Sequence, residues 1–143
     1  MRQIFQVTLI ALLTLSASTA MARDTRHQFP VENVIANNSD RLDGVDFYFG
    51  TDNHPAVAST HGEYQSNKKT NAFGKSDQEA CEWAFLSALV SLHQRALNEG
   101  GNAVINIRSY YKKNNFDSET EFECGAGAIM AGVTLKGTVA TIE

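Results

Sequence analysis

Apart from one stretch near its amino terminus the chain has no long apolar run, and its 143 residues include only two cysteines, two prolines and one tryptophan. Without a second apolar run nothing follows the first to stop transfer across a bilayer. The two cysteines show no C-x-x-C spacing, which argues against a redox pair or half of a metal site. Only Pro30 and Pro55 punctuate the chain, and no internal repeat or low-complexity tract is visible. Cations are also short. Twelve Lys and Arg face sixteen Asp and Glu, and removing Arg2 with an amino-terminal signal leaves a formal charge of −5. Nucleic acid is excluded as an expected partner, because phosphate binding needs clustered Lys and Arg. The two basic pairs, Lys68-Lys69 and Lys112-Lys113, lie in polar, turn-like sequence and read as solvated ends.

The one apolar run, "VTLIALLTL" at residues 7–15, follows Arg2 and precedes the small-residue stretch "SASTAMA". It is too short to cross a bilayer core of about 30 Å as a helix, and Ala20 and Ala22 fit an A-x-A cleavage site. Residues 1–22 therefore read as a secretory signal cleaved after Ala22, which places the mature chain in the periplasm. No cysteine stands near the end of the run, so the lipid-modified cysteine of a lipoprotein is missing and no stable membrane anchor is expected. Residues 23–44 read as an amino-terminal extension and residues 45–143 as a single domain with a modest core. An even cysteine count suits an oxidising compartment. A Cys81 to Cys124 disulfide is the simplest pairing, and closing a loop of that length stabilises a fold by on the order of 4 kcal/mol.

The strongest element is a helix over residues 77–99. Ser76 and Glu79 form an S-x-x-E capping box, and Gly100-Gly101 supplies the stop. At about 100° per residue, Cys81, Ala84, Phe85, Ala88, Leu89, Leu92 and Ala96 share the face expected to meet the core. Trp83, Leu86, Val90 and Leu97 form a second apolar stripe nearly opposite. A helix with two apolar faces needs two coverings. Either the amino-terminal segment, with Phe29, Val31, Val34 and Ile35, folds over the second stripe, or that stripe is a surface for a partner or for a homodimer.

Around the helix, "VDFYFG" and "AVASTHGEYQ" are short strand candidates joined by the turn-like "TDNHP". A further strand is expected over residues 103–111. "TEFECGAGAIMAGVTLKGTVATI" reads as one long or twice-bent strand, with bends at its glycines. The expected fold class is α+β: a two-layer domain with one long helix packed on a mainly antiparallel sheet. If Asn114 and Asn115 form a tight turn, Lys112 faces Asp117, Arg108 faces Glu121, Ile107 faces Phe122 and Ile105 faces Cys124. The alternating acids Asp117, Glu119, Glu121 and Glu123 are then explained by charge pairing.

Catalytic and cofactor motifs are weak throughout. Gly74-Lys75-Ser76 has the ending of a phosphate-binding loop, but the G-x-x-x-x-G-K-[ST] pattern would need glycine where Lys69 stands. The preceding "EYQSNKKTN" is not the apolar parallel strand such a loop follows, and no apolar run ends in a Mg²⁺-binding aspartate. Nucleotide binding is therefore not expected, and Ser76 is better explained as a helix cap. No G-x-S-x-G elbow is present. The four histidines, His27, His54, His61 and His93, lack H-E-x-x-H or H-x₃-H spacing, so no metal or other cofactor is expected. The alternative is a metal- or small-ligand-binding protein using His54 and His61 across a hairpin, or the acidic strand.

The stretches "ACEWAFLSALVSLHQRALNEGGNAVINIRSYYK" and "FECGAGAIMAGVTLKGTVATI" resemble small exported bacterial proteins of unknown role, some labelled "excinuclease ATPase subunit". An ATPase role is not expected here, on the grounds just given. The same stretches resemble, more distantly, the RcsF-like periplasmic domain and the YbjQ-like family. The RcsF-like pattern implies a disulfide between a cysteine early in the helix and one at the start of the final strand, which maps onto Cys81 and Cys124. It also implies that Ser109 lies beside Met130, where that family has a second disulfide, and this register conflicts with the tight Asn114-Asn115 turn. The function expected is that of a non-enzymatic periplasmic binding module, acting through contacts with another envelope protein or with itself.

Overall fold

The structure is a computed structural model and describes residues 23–143; the signal segment and its cleavage position lie outside the described residues. In chain order the elements are β1 (Thr25–Pro30), α1 (Glu32–Asn37), a 3-10 turn (Ser39–Leu42), β2 (Asp46–Phe49), β3 (Val57–Asn71), α2 (Asp77–Asn98), β4 (Ala103–Ser109), a second 3-10 turn (Tyr111–Lys113), β5 (Glu121–Ala126) and β6 (Met130–Ile142). The fold is α+β, with one long helix on a curled, mostly antiparallel sheet of six strands.

β6 is the axis of the sheet. One of its edges pairs along its length with β3, from Asn71 opposite Met130 to Val57 opposite Ile142. The other edge is shared end to end. β4 takes the stretch from Ala103 opposite Ala140 to Ser109 opposite Leu135, and β5 takes Gly125 opposite Gly132 and Ala126 opposite Ala131. β1 then lies antiparallel outside β5, and β2 lies parallel outside β4. Because β3 and β4 both run antiparallel to β6, they are parallel to each other, and the chain must cross over β6 between them. Parallel strands cannot be joined by a tight turn, and α2 is the crossover.

α2 begins as the sequence predicts, with Ser76 Oγ accepting from Glu79 N at 3.1 Å. Asp77 and Glu79 in the first turn and Arg95 in the last complement the helix dipole. At the other end Glu99 is the C-cap, and the bonds Gly100 N to Leu97 O (3.2 Å) and Gly101 N to Ala96 O (2.9 Å) satisfy its last carbonyls. The predicted core face is the buried one: Cys81, Ala84, Phe85, Ala88, Leu89, Leu92 and Ala96 are all enclosed. They meet Phe122, Cys124, Val133, Leu135 and Val139 from the sheet. Phe85 and Phe122 stack with centroids 4.2 Å apart and planes inclined by 8°. One helical turn before Phe85, Cys81 is bonded to Cys124 of β5, with their Cα atoms 5.8 Å apart.

The strands depart from the sequence reading in four places. β3 runs on through "SNKKTN" to Asn71, so Lys68 and Lys69 are exposed, as expected, but lie within a strand and not in a turn. Hydrogen bonding to β6 decides this, because strand formation follows available partners more than local propensity. The late stretch is two strands, divided by a turn that Gly127 N closes on Met130 O at 2.8 Å. Neither expected register occurs. β4 and β5 follow one another along β6 instead of pairing with each other, joined where Ser109 Oγ accepts from Glu123 N at 2.9 Å. Lys112 meets Asp24 and Arg108 meets Glu63, while Ser109 sits opposite Leu135 and Met130 opposite Asn71. Lastly, residues 23–44, read as an extension, contribute β1 to the same sheet.

Two serines with opposite roles test this packing. Ser66, buried on β3, has an Oγ with no hydrogen-bond partner among the described residues, whereas Ser76 Oγ caps α2. Ser76→Ala is expected to lower the unfolding free energy by about 1 kcal/mol. Ser66→Ala, which removes an unsatisfied buried hydroxyl, is expected to be neutral or to raise it by up to about 1 kcal/mol. Urea unfolding of both variants checks the signs.

Candidate functional site

The second stripe of α2 divides into covered and uncovered parts. Leu86 is buried at 5% exposure and Val90 is half-buried against the core, but Trp83 and Leu97 keep 49% and 51% of their surface in water. The covering comes partly from α1. Val34 of that helix and Leu86 line one groove with Asn33, Asn37 and Asn38, a cavity of about 160 Å³. Glu79 and Glu82 stand on its α2 side. Being only six residues long, α1 covers little more than one turn of α2.

Trp83 forms the boundary between that groove and a second, of about 420 Å³, on the other side of the indole. Arg41, Lys68 and Lys69 line the second groove opposite Ser87, Ser91 and Gln94. The sole tryptophan of the chain thus stands between an acidic groove and a basic one. Its backbone is steadied by Ser87 Oγ, which donates to the Trp83 carbonyl at 2.9 Å. Farther along α2, His93 is buried and its Nε2 lies 2.7 Å from the Asp43 carbonyl, with Phe47 beside the ring. This histidine ties the segment before β2 to the helix.

Two polar clusters escaped the sequence reading. In the first, the Asp77 carboxylate at the start of α2 is gripped by Arg23, with Nη1 to Oδ2 at 2.8 Å and Nη2 to Oδ1 at 3.0 Å, and by His27 Nε2 at 2.8 Å. Hydrogen bonds from Arg23 and then His27 hold this carboxyl well below the usual carboxylate range. The second cluster lies on the sheet face away from α2. Tyr111 rests over Gly125 and Gly132, and a Cβ at Gly125 would collide with its ring, so only glycine permits this close approach. Tyr111 donates to Asp24 Oδ1 at 3.0 Å, Lys112 Nζ lies 2.5 Å from Asp24 Oδ2, and the Arg26 guanidinium lies over the Tyr111 ring at 4.7 Å. Burial, followed by Asp24, raises the Tyr111 phenol above its ordinary value, and Lys112 lowers Asp24. The inward positions Thr25, His27 and Phe29 of β1 alternate with the exposed Arg26, Gln28 and Pro30. That period of two was the available signal for a strand carrying both clusters.

The remaining candidates are held apart. His54 Nδ1 lies 2.8 Å from the Pro55 carbonyl, and His61 Nε2 lies 2.9 Å from Thr141 Oγ1. The expected acidic strand face is divided, with Asp117 bonded to Thr51, and Glu123 bonded to Arg26 and Gln28 at 3.0 Å each. Among the described residues no group of three or more His, Cys, Asp and Glu side chains is placed to hold a metal ion. Lys75 Nζ donates to the Asn71 carbonyl at 3.1 Å, and Ser76 caps the helix, so the Gly74-Lys75-Ser76 stretch is a turn followed by a cap. No helix among the described residues is long and apolar enough to cross a membrane. No protein-family model, curated protein or solved structure matches the chain.

The Asp77 cluster predicts a pH dependence. A carboxyl depressed in the folded state contributes stability that is present above its unfolded value of about 4 and is lost as pH falls through the folded value. The unfolding free energies of the unaltered protein and Asp77→Asn are expected to differ by on the order of 1 kcal/mol near neutral pH, after allowance for solvent screening. That gap should close below about pH 4. Urea unfolding at a series of pH values provides the measurement.

Proposed function

We propose that the chain is a non-enzymatic binding module of the bacterial envelope, working in the periplasm through contact with another protein at the surface centred on Trp83. The observation that carries this reading is the half-exposed indole, set between two grooves of opposite charge on a helix whose other face is buried in the core. Aromatic side chains at the centre of a patch supply much of the energy of protein interfaces, and flanking charges select the partner. Export is supported by the signal-like residues 1–22 and by a disulfide suited to an oxidising compartment. The RcsF-like and YbjQ-like kinship belongs to the same reading, supported by the helix-to-strand pairing of Cys81 with Cys124. A non-enzymatic role is supported by the occupations already described. Both cysteines are bonded, Ser76 caps a helix, and the histidines have separate partners. The reading includes no nucleotide, nucleic acid or metal cofactor.

Leu86 and Trp83 separate folding from recognition. Leu86→Asp would bury an unpaired charge and is expected to destabilise the domain by about 3 kcal/mol or more. Trp83→Ala truncates a half-exposed ring, so its thermal midpoint should stay close to that of the unaltered protein. A photoreactive phenylalanine analogue at position 83, irradiated in intact cells, should cross-link one protein in excess over the same analogue at Asp52. A cross-linked species of twice the chain mass would identify the partner as a second copy. Absence of any position-83 product, or equal products from both positions, would refute the proposal.

A further inference from the structure

Two turns meet at one end of the sheet. The first, at residues 72–75, closes with Lys75 N donating to the Ala72 carbonyl at 3.1 Å. Gly74 occupies its third position at φ +74°, a conformation that favours glycine, and Phe73 takes the second. Phe73 is 76% exposed. The β5–β6 turn lies alongside and leaves Ile129 and Met130 at 66% and 47% exposure. Ala72 N donates to the Ile129 carbonyl at 2.7 Å, which locks the two turns together. The two most exposed large apolar side chains of the described residues therefore crown adjoining turns.

Cations gather here against the overall negative balance of the chain. Lys69 and Lys112 line the cleft of about 610 Å³ beside Met130, together with Arg23. Lys75 reaches the Asn71 carbonyl at the base of the first turn. The neighbouring acids Asp24 and Asp77 are already paired with Lys112 and Arg23. Among the described residues Lys69 and Lys75 form no ion pair. The described residues also begin at this end, since the Arg23 carbonyl packs against Gly127. In the sequence the apolar residues 7–15 precede that point by only the seven intervening residues 16–22. Cleavage after Ala22 would place a new α-ammonium group beside the same tip.

We propose that this tip docks the protein reversibly on an anionic lipid surface. Phe73, Ile129 and Met130 enter the boundary between headgroups and acyl chains, while Lys69 and Lys75 sit against lipid phosphates. A second copy is the poorer occupant, because a stable protein interface needs roughly 1,000 Å² or more of complementary area. Three side chains on two convex turns present much less, whereas a fluid bilayer conforms to them. The proposal does not depend on Trp83.

The test is co-sedimentation of the full chain, purified after export, with phosphatidylcholine vesicles with and without phosphatidylglycerol, at low and high salt. Binding is expected only to the anionic vesicles and should weaken with salt. Lys69→Glu with Lys75→Glu should reduce it by more than about tenfold, each lost charge being equivalent to roughly a fivefold change. Phe73→Ser with Ile129→Ser should abolish it, and all four positions are exposed, so thermal midpoints should hold. Hydrogen exchange of the unaltered protein should show vesicle-dependent protection at residues 72–75 and 127–130. No binding to anionic vesicles, binding unchanged in both double variants, or protection confined elsewhere would overturn the proposal. So would a dimer that dissociates in the Phe73→Ser, Ile129→Ser variant without any vesicle binding.

Discussion

The clamp between α2 and β5 is the contact on which the rest of the molecule depends. A covalent bond joins Cys81 to Cys124, and one turn along the helix Phe85 stacks on Phe122 of the same strand. β5 pairs with β6 at only two positions of the ladder, Gly125 and Ala126, so hydrogen bonding to β6 alone would leave it weakly held. Anchoring to α2 makes β5 firm enough to carry β1 on its outer edge. β1 in turn brings Arg23 and His27 to the start of α2, where they bind Asp77. The helix thus holds the strand, and the strand returns Arg23 and His27 to the helix.

The two apolar faces of α2 meet different fates because their coverings differ in length. β6 and β3 run farther than the helix needs, so the core face is enclosed along its whole extent. α1 spans six residues and shields Leu86 but not Trp83 or Leu97. An indole left half in water beside a well-packed helix costs some stability, and recognition is a physical reason for the fold to retain it. The rigid helix beneath also fixes the ring's position without help from a loop.

What was legible in the sequence is what local interactions decide. The helix limits, the Ser76 cap, the core face from Cys81 to Ala96 and the pairing of the only two cysteines follow from neighbours along the chain or from simple elimination. Strand register did not follow, since β4 and β5 share one edge of β6 in tandem, and no turn chemistry between residues 109 and 121 announces that arrangement. β3 was underestimated because its polar residues carry no alternating apolar signal, and β6 alone makes them a strand. Of the second stripe, spacing identified the members, but only the reach of α1 determined that Leu86 would be sheltered and Trp83 left exposed. The tip formed by Phe73 and Ile129 joins turns more than fifty positions apart, which no local pattern encodes.

β3 pairs with a strand along one side only, and among the described residues no strand takes up its opposite row of amide and carbonyl groups, where side chains reach only a few positions such as the Asn71 carbonyl. Such a border is a template onto which another extended chain could zip. The strand carries its own deterrents. Its register slips between Thr60 and Glu63, around Gly62 at φ +108°, so a straight incoming segment would lose step midway. Beyond the slip, the charged pair Lys68-Lys69 would face desolvation under any added strand. The same lysines that rim the grooves and the tip thereby guard the protein against uncontrolled sheet growth.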